Sequence, residues 1–192
     1  MGIVQSGLDL INKAVKLLNV DCRNIRMCEL GNQRMWTGVG LPHETGKQYF
    51  EEMGMEHVSL DINGLDGSLP LDLSIPVSVE LGKFDIVTNM GTTEHVGNQF
   101  HAFRNIDCFC RVGGYMVHQV PLVGYYRRHC PFHYDTRFFQ KLSELSGYEI
   151  IFHEISAIGS NPKSVCHSCI MVKTDRPFPS EEVFKSMGTI AG

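Results

Sequence analysis

The stretch Ile25-Arg26-Met27-Cys28-Glu29-Leu30-Gly31-Asn32-Gln33 decides the fold. A short apolar run stops at a glycine, and polar residues follow at once. This is the pattern of a buried strand whose backbone turns sharply where a side chain is missing. Similar runs follow downstream. His57 to Ile62 closes on Asn63-Gly64, Phe84 to Asn89 has Gly91 just beyond it, and Tyr115 to Val120 stops at Pro121.

The segments between these runs change period. In the first twenty residues Leu8, Ile11, Val15 and Leu18 recur at helical spacing, with Asp9, Asn12, Lys13 and Lys16 between them. Glu44 to Met55 reads as a helix ending at Gly54. In Asn98 to Arg111, Phe100, Phe103, Ile106, Phe109 and Cys110 share one side, and Gly113-Gly114 ends the helix. Thr136 to Ser146 is a helix with Gly147 as its C-terminal cap. Tyr148 to Ile158 and Val165 to Lys173 read as two closing strands in a hairpin. Met35 to Lys47 and Leu65 to Pro76 are loops, and the polar tail from Thr174 is expected to fray. Strands alternating with helices predict an α/β, Rossmann-like, doubly wound sheet, mostly parallel with an antiparallel C-terminal strand. No linker or repeat divides residues 1–192, so one domain is expected.

The bulk numbers agree with that class. The chain has 192 residues, 43% hydrophobic and 20% charged, an ordinary globular balance. Its net charge of -4 comes without a Lys/Arg block, so neither nucleic acid nor an anionic membrane is an expected partner. The opening Met1 to Gly7 has no signal-peptide pattern. Seven scattered cysteines fit a reducing, cytoplasmic setting. The sequence does not fix an oligomeric state.

In open α/β sheets, ligands sit outside the carboxyl ends of the strands, at the switch point of the topology. The residues just after each run therefore carry the chemistry. Gly31 lets the backbone approach a ligand. Asp61 offers an unpaired carboxylate to a ribose diol. Glu29, inside an apolar strand, needs a partner or a role. The third and fourth runs deliver Asn89, Gly91-Thr92-Thr93-Glu94-His95, and His118-Gln119.

Taken together, four segments resemble one family. Glu29-Leu30-Gly31, Phe84-Asp85-Ile86-Val87, Glu94-His95-Val96 and Arg111-Val112-Gly113-Gly114-Tyr115 are similar to the ordered motifs of class I S-adenosylmethionine-dependent methyltransferases. Their spacing resembles the branch that includes ubiquinone-biosynthesis O-methyltransferases, over about Arg26 to Gly147. The resemblance implies S-adenosyl-L-methionine as cofactor and methyl transfer to a small-molecule acceptor. It also implies Glu29, Gly31 and the adjoining Asn32 against the methionine and sugar. Asp61 and Ile62 would lie at the ribose, Asp72 and Leu73 at the adenine, and Asn89 and Gly91 under the methionine end. The family has a second glycine where this chain has Gln33, whose side chain must turn away from the cofactor or replace a contact.

A hydroxyl acceptor would need a base, and His95, His118 and His129 are candidates because imidazole titrates near neutral pH. Glu94 and His95 as metal ligands lack the third carboxylate of some relatives, Gly91 standing in its place. Cys166 and Cys169 are three apart on a strand and so face opposite ways. No metal is therefore expected. The aromatic and basic loop Gly124 to Asp135, with Tyr125, Tyr126, Arg127 and Arg128, suits acceptor recognition. Two other classes fit the fold: a nicotinamide-dependent reductase, disfavoured by the incomplete glycine motif, and a non-catalytic binding module.

Overall fold

The apolar runs form one six-stranded sheet in the computed structural model, which describes residues 2–126, 128–159 and 162–192. The strands are β1 (Arg26–Leu30), β2 (Glu56–Leu60), β3 (Phe84–Met90), β4 (Cys110–Pro121), β5 (Glu149–Ala157) and β6 (Val165–Val172). Their order across the sheet is β2-β1-β3-β4-β6-β5. The first four pair in parallel, and β6 runs against both of its neighbours. The expected sheet class and the closing hairpin are as observed.

Side chains alternate between the two faces, as the pleat requires. Met27, Ile86, Val117 and Ile170 point to one face, Cys28, Val87, Met116 and Met171 to the other. Helices cover both sides, so the central strands bury residues on both faces instead of alternating buried with exposed ones. Helices α1 (Gln5–Leu18) and α2 (Gly46–Glu52) cover the first face. Leu8, Ile11 and Ala14 of α1 and Phe50 of α2 are buried there. Helices α3 (Gln99–Phe109), α4 (Phe138–Ser146) and α5 (Glu181–Ser186) cover the second. Phe103 and Ile106 of α3, with Phe138, Phe139 and Leu142 of α4, build that core.

The helix boundaries follow local chemistry. Thr45 caps α2 through a reciprocal box with Gln48. The Asn98 side chain accepts from the His101 amide at the start of α3. Gly147 ends α4 at φ 70°, as expected of a left-handed cap.

Two expectations change. Gly113-Gly114 does not end a helix: β4 already begins at Cys110, and the pairing with β3 shifts register there. Gly113 adopts φ 74°, and a Cβ on Gly114 would come within 3.0 Å of the Asp85 carbonyl oxygen. The pair therefore allows a bulge inside the strand. Asp85, inside one of the recognisable segments, stands at the opposite end of the sheet from the site. Its carboxylate accepts from the Arg26 amide at 2.8 Å and from Arg111 Nε at 2.6 Å, tying the starts of β1 and β4 together.

The tail from Thr174, expected to fray, is packed. Phe184 on α5 is buried against Phe100 and Phe103, and Ile190–Ala191 pairs antiparallel with His133–Tyr134. A few aromatic residues in a polar segment suffice to dock it. At the other end of the chain, Gly2–Ile3 pairs in parallel with Arg34–Met35. Among the described residues no helix is long and apolar enough to cross a membrane.

Candidate functional site

The topology switches direction between β1 and β3, since β2 lies on one side of β1 and β3 on the other. The loops leaving these strands part there around a cleft of about 240 Å³. Gly31, the first residue after β1, has φ 86° and donates its amide to the Leu60 carbonyl at 2.7 Å. Only glycine takes that conformation without cost.

Asp61 follows β2 directly and faces the cleft. Its Oδ2 accepts from the Asn32 amide at 2.8 Å, and its Oδ1 accepts from the Asn63 amide at 3.0 Å. The carboxylate is therefore not unpaired, as the sequence suggested; it joins the loops after β1 and β2. Each oxygen keeps lone pairs for a further donor.

Ile62, Asp72 and Leu73 complete this side of the cleft. Asp72 Oδ1 accepts from the Ser74 amide at 2.8 Å, and the hydrogen bonds from Ser74 hold its carboxyl below the usual range. Ile62 is 74% exposed at the rim, whereas Leu73 is buried. The opposite wall is Thr92 with His95 to Gly97, from the turn after β3.

Gln33 resolves the question posed by the missing second glycine. Its side chain is fully buried and donates to the Leu30 carbonyl and to Thr92 Oγ1, both at 2.9 Å. It turns into the protein and braces the Thr92 wall, leaving the cleft open. Nothing adjacent in sequence announced that partner, 59 positions away.

Five of the nine residues singled out for a cofactor thus line the cleft: Gly31, Asp61, Ile62, Asp72 and Leu73. Asn32 adjoins it, with its side chain bonded to Asp66 at 2.6 Å. Gly91 sits at the turn after β3, with φ 74° and its amide on the Gln119 carbonyl. Asn89 lies inside β3, which runs one residue further than expected. Its side chain accepts from the Thr92 and Thr93 amides and donates to Thr93 Oγ1, so it builds the turn.

Glu29 is beneath the cleft and fully buried. His57 Nε2 is 3.8 Å from its Oε2, and a Cβ at Gly46 would meet its Oε1 at 2.4 Å. Burial raises the Glu29 carboxyl well above the usual range and pushes His57 down to about 4. Burial thus disfavours the charged form of each.

The three histidines part company. His95 lines the cleft, and His129 on the loop after β4 meets it edge to face, with ring centroids 5.3 Å apart. Burial, then the neighbouring His129, lowers the His95 pKa. His118 lies inside β4, buried between the Phe103 and Phe139 rings, with Nδ1 3.3 Å from Asn89 Nδ2. Burial pushes it down to about 3. The structure does not bring it to the cleft.

The loop after β4 folds over the turn that carries Glu94 and His95. The Phe132 amide donates to the Glu94 carbonyl at 3.1 Å, and Tyr126 packs on His129 with centroids 5.7 Å apart. Tyr126 and Arg128 hold φ 52° and 64°, rare for such side chains. Tyr125 is 37% exposed, and Arg127 lies outside the described residues. Cys166 Sγ donates to Tyr126 Oη at 3.6 Å, while Cys169 is buried in the other direction, in the core under α3 and α4. Among the described residues no three His, Cys, Asp or Glu side chains converge as a metal site would require.

No protein-family model matches the chain. No curated protein matches it either. Solved structures do. The Burkholderia thailandensis 1,6-didemethyltoxoflavin-N1-methyltransferase, with 1,6-didemethyltoxoflavin and S-adenosylhomocysteine bound, aligns at TM-score 0.59 and 11% identity, over 88% of this chain and 87% of that one. The N-methyltransferase NodS from Bradyrhizobium japonicum, in complex with S-adenosylhomocysteine, aligns at 0.55 and 12%, over 85% and 86%. TehB from Haemophilus influenzae aligns at 0.61 and 12%, over 86% of this chain and 62% of its own length. Together with the strand order and the cleft at the switch point, these likenesses show that the chain has the fold of the class I S-adenosylmethionine-dependent methyltransferases.

Proposed function

We propose that the protein transfers a methyl group from S-adenosylmethionine to a small-molecule acceptor. The observation that carries this reading is the pairing, in one cleft, of a Gly31 turn that needs φ 86° with the Asp61 carboxylate across from it. The donor set fits a nucleoside. Asp61 has lone pairs left for two ribose hydroxyls, Asp72 offers an acceptor for an amino group on a base, and Ile62 and Leu73 offer apolar surface for its faces. Gln33, which stands where the family has a second glycine, is turned inward. Two of the described structures hold S-adenosylhomocysteine, and one holds a small heterocyclic substrate as well.

The bound cofactor would supply a methyl group made electrophilic by its sulfonium. The chain's own residues position and enclose. Gly31 lets the backbone come close to the ligand, and Asp61 fixes the ribose. Gly91, His95 and His129, at the ends of β3 and β4, would stand by the reactive end of a cofactor whose nucleoside is held beside β1 and β2. In-line transfer needs the acceptor held behind the methyl group with water excluded. The loop after β4, laid over the Glu94-His95 turn, serves that purpose.

Calorimetric titration tests the assignment. S-adenosylhomocysteine is expected to bind in the micromolar range, about -8 kcal/mol, and to raise the melting temperature. NAD is expected to do neither. Tight NAD binding would move the chain to the reductase class, and no binding of either ligand would leave a non-catalytic module.

A further inference from the structure

Asp66, in the loop after β2, does not line the cleft, and the reading above gives it no task. Its backbone holds φ 53° and ψ 28°, in the left-handed region that few non-glycine residues adopt. Gly64 at φ 62° and Gly67 at φ 75° stand beside it in the same half of conformational space. A glycine at position 66 would rest there without strain, so the backbone gives no reason for a carboxylate. The reason lies in what the side chain meets.

Asp66 Oδ2 accepts from Asn32 Nδ2 at 2.6 Å. The same Asn32 donates its backbone amide to Asp61 Oδ2 at 2.8 Å. One asparagine is thus held by both carboxylates, through its side chain and through its main chain. On the other side, Asp61 Oδ1 accepts from the Asn63 amide at 3.0 Å, and Asn63 Oδ1 accepts from the Leu65 amide at 2.8 Å. Leu65 precedes Asp66 in the chain. The links from Asp61 through Asn63 and Leu65 to Asp66, and back through Asn32, therefore form a closed ring. Lys47 Nζ ties α2 to the same loop by donating to the Gly67 carbonyl at 3.1 Å. Arg34 adds only a long contact, with Nη2 3.9 Å from Asp66 Oδ2 and its side chain 61% exposed, which contributes little. The ring cannot stay closed if the Asp61 carboxylate rotates or the loops after β1 and β2 part.

We propose that Asp66 is a positioning residue for the cofactor: through Asn32 it holds the Asp61 carboxylate in the orientation that takes the ribose. This rests on the methyltransferase reading above, which puts the ribose at Asp61. A carboxylate held at both oxygens turns little, so its remaining lone pairs keep one direction. A ligand that meets a preset acceptor loses less free energy to ordering the site. Asp66 itself touches no ligand. Its left-handed backbone is the strain that the clasp requires, and such strain gathers at ligand clamps.

The test is a double-mutant cycle read by calorimetric titration of S-adenosylhomocysteine into wild type, Asp66→Gly, Asp61→Ala and the double variant, with urea unfolding to show that each is folded. Asp66→Gly removes the clasp and the backbone strain together. It should weaken S-adenosylhomocysteine by about three- to tenfold, the scale of one partly exposed hydrogen bond to a charged group. In the Asp61→Ala background the same change should alter affinity by less than about twofold, because the group that Asp66 positions is gone. Asp66→Asn tolerates the left-handed backbone and keeps an acceptor oxygen, so it should recover most of the wild-type affinity. Equal weakening with and without Asp61 would mean that Asp66 acts by another route, and overturns the proposal. An Asp66→Gly protein with wild-type affinity overturns it too. In both cases the wild type still binds, and the methyltransferase reading stands. Failure of the wild type to bind S-adenosylhomocysteine removes that reading, and the proposal with it.

Discussion

Replacing Asp61 by alanine separates the two tasks that the structure gives this residue. In the ligand-free chain its oxygens accept from the Asn32 amide at 2.8 Å and the Asn63 amide at 3.0 Å. Both contacts lie at a partly open loop junction, so water takes over much of what is lost. A net stability loss of about 1 kcal/mol is expected, below the usual worth of hydrogen bonds to a charged group because water replaces them. With cofactor bound, the same oxygens would also accept from two ribose hydroxyls in a site closed to water. Each such bond contributes about 1.5–3 kcal/mol. Partial refilling by water brings the expected loss to roughly 2–3 kcal/mol, or about thirty- to a hundredfold in affinity. Asp61→Asn keeps one acceptor oxygen and should fall between wild type and alanine in both respects. The assay pairs calorimetric titration of S-adenosylhomocysteine with urea unfolding of the free protein. Unchanged affinity alongside lost stability would refute the reasoning, because Asp61 would then be a loop tie and the cofactor would bind elsewhere.

Two further outcomes concern the fold. Burial pushes the His57, His118 and His167 pKa values from 6.5 down to about 4, about 3 and about 4. These imidazoles stay neutral when folded and protonate when unfolded, so their stabilising contribution is present above about pH 6.5 and is lost as pH falls toward the folded values. Glu94 acts in the opposite sense: raised from 4.5 to about 8, it contributes fully below about 4.5 and loses that contribution as pH rises through about 8. Urea midpoints measured across pH should therefore decline toward both sides of neutrality, and His57→Phe should reduce the acid-side slope by up to about 1.4 kcal/mol per pH unit; an unchanged slope contradicts the neutral assignment. Phe184→Ala should cost about 3 kcal/mol through the cavity left against Phe100 and Phe103, and a loss below about 0.5 kcal/mol, the level of surface changes, would mean that the tail is not docked in solution.

The sequence by itself determined the sheet and the face that carries the site. Mostly apolar runs such as Met27 to Leu30 are too short for helices and each closes on a turn residue, which reads as a buried strand, and their alternation with helical segments leaves little choice of topology. Gly31 and Asp61 were legible for the same reason: a position just past a strand is a local property, and chemistry at that position follows from residue type. The tertiary structure decided what depends on distant partners. Asn89 and His118 sit one or more residues inside longer strands than the local pattern marks, because pairing with neighbours extends a strand, and so both turn into the core. Gln33 braces Thr92, 59 positions away, and Asp61 holds Asn32, 29 positions away. Glu94 and His95 are adjacent in sequence and both touched by the loop after β4, yet one is buried and the other is exposed and lines the cleft. Even the tail, polar by composition, is held by Phe178 and Phe184 and by the pairing of Ile190–Ala191 with His133–Tyr134. Burial is set by what packs on a residue, and for these residues the packing comes from chain remote in sequence.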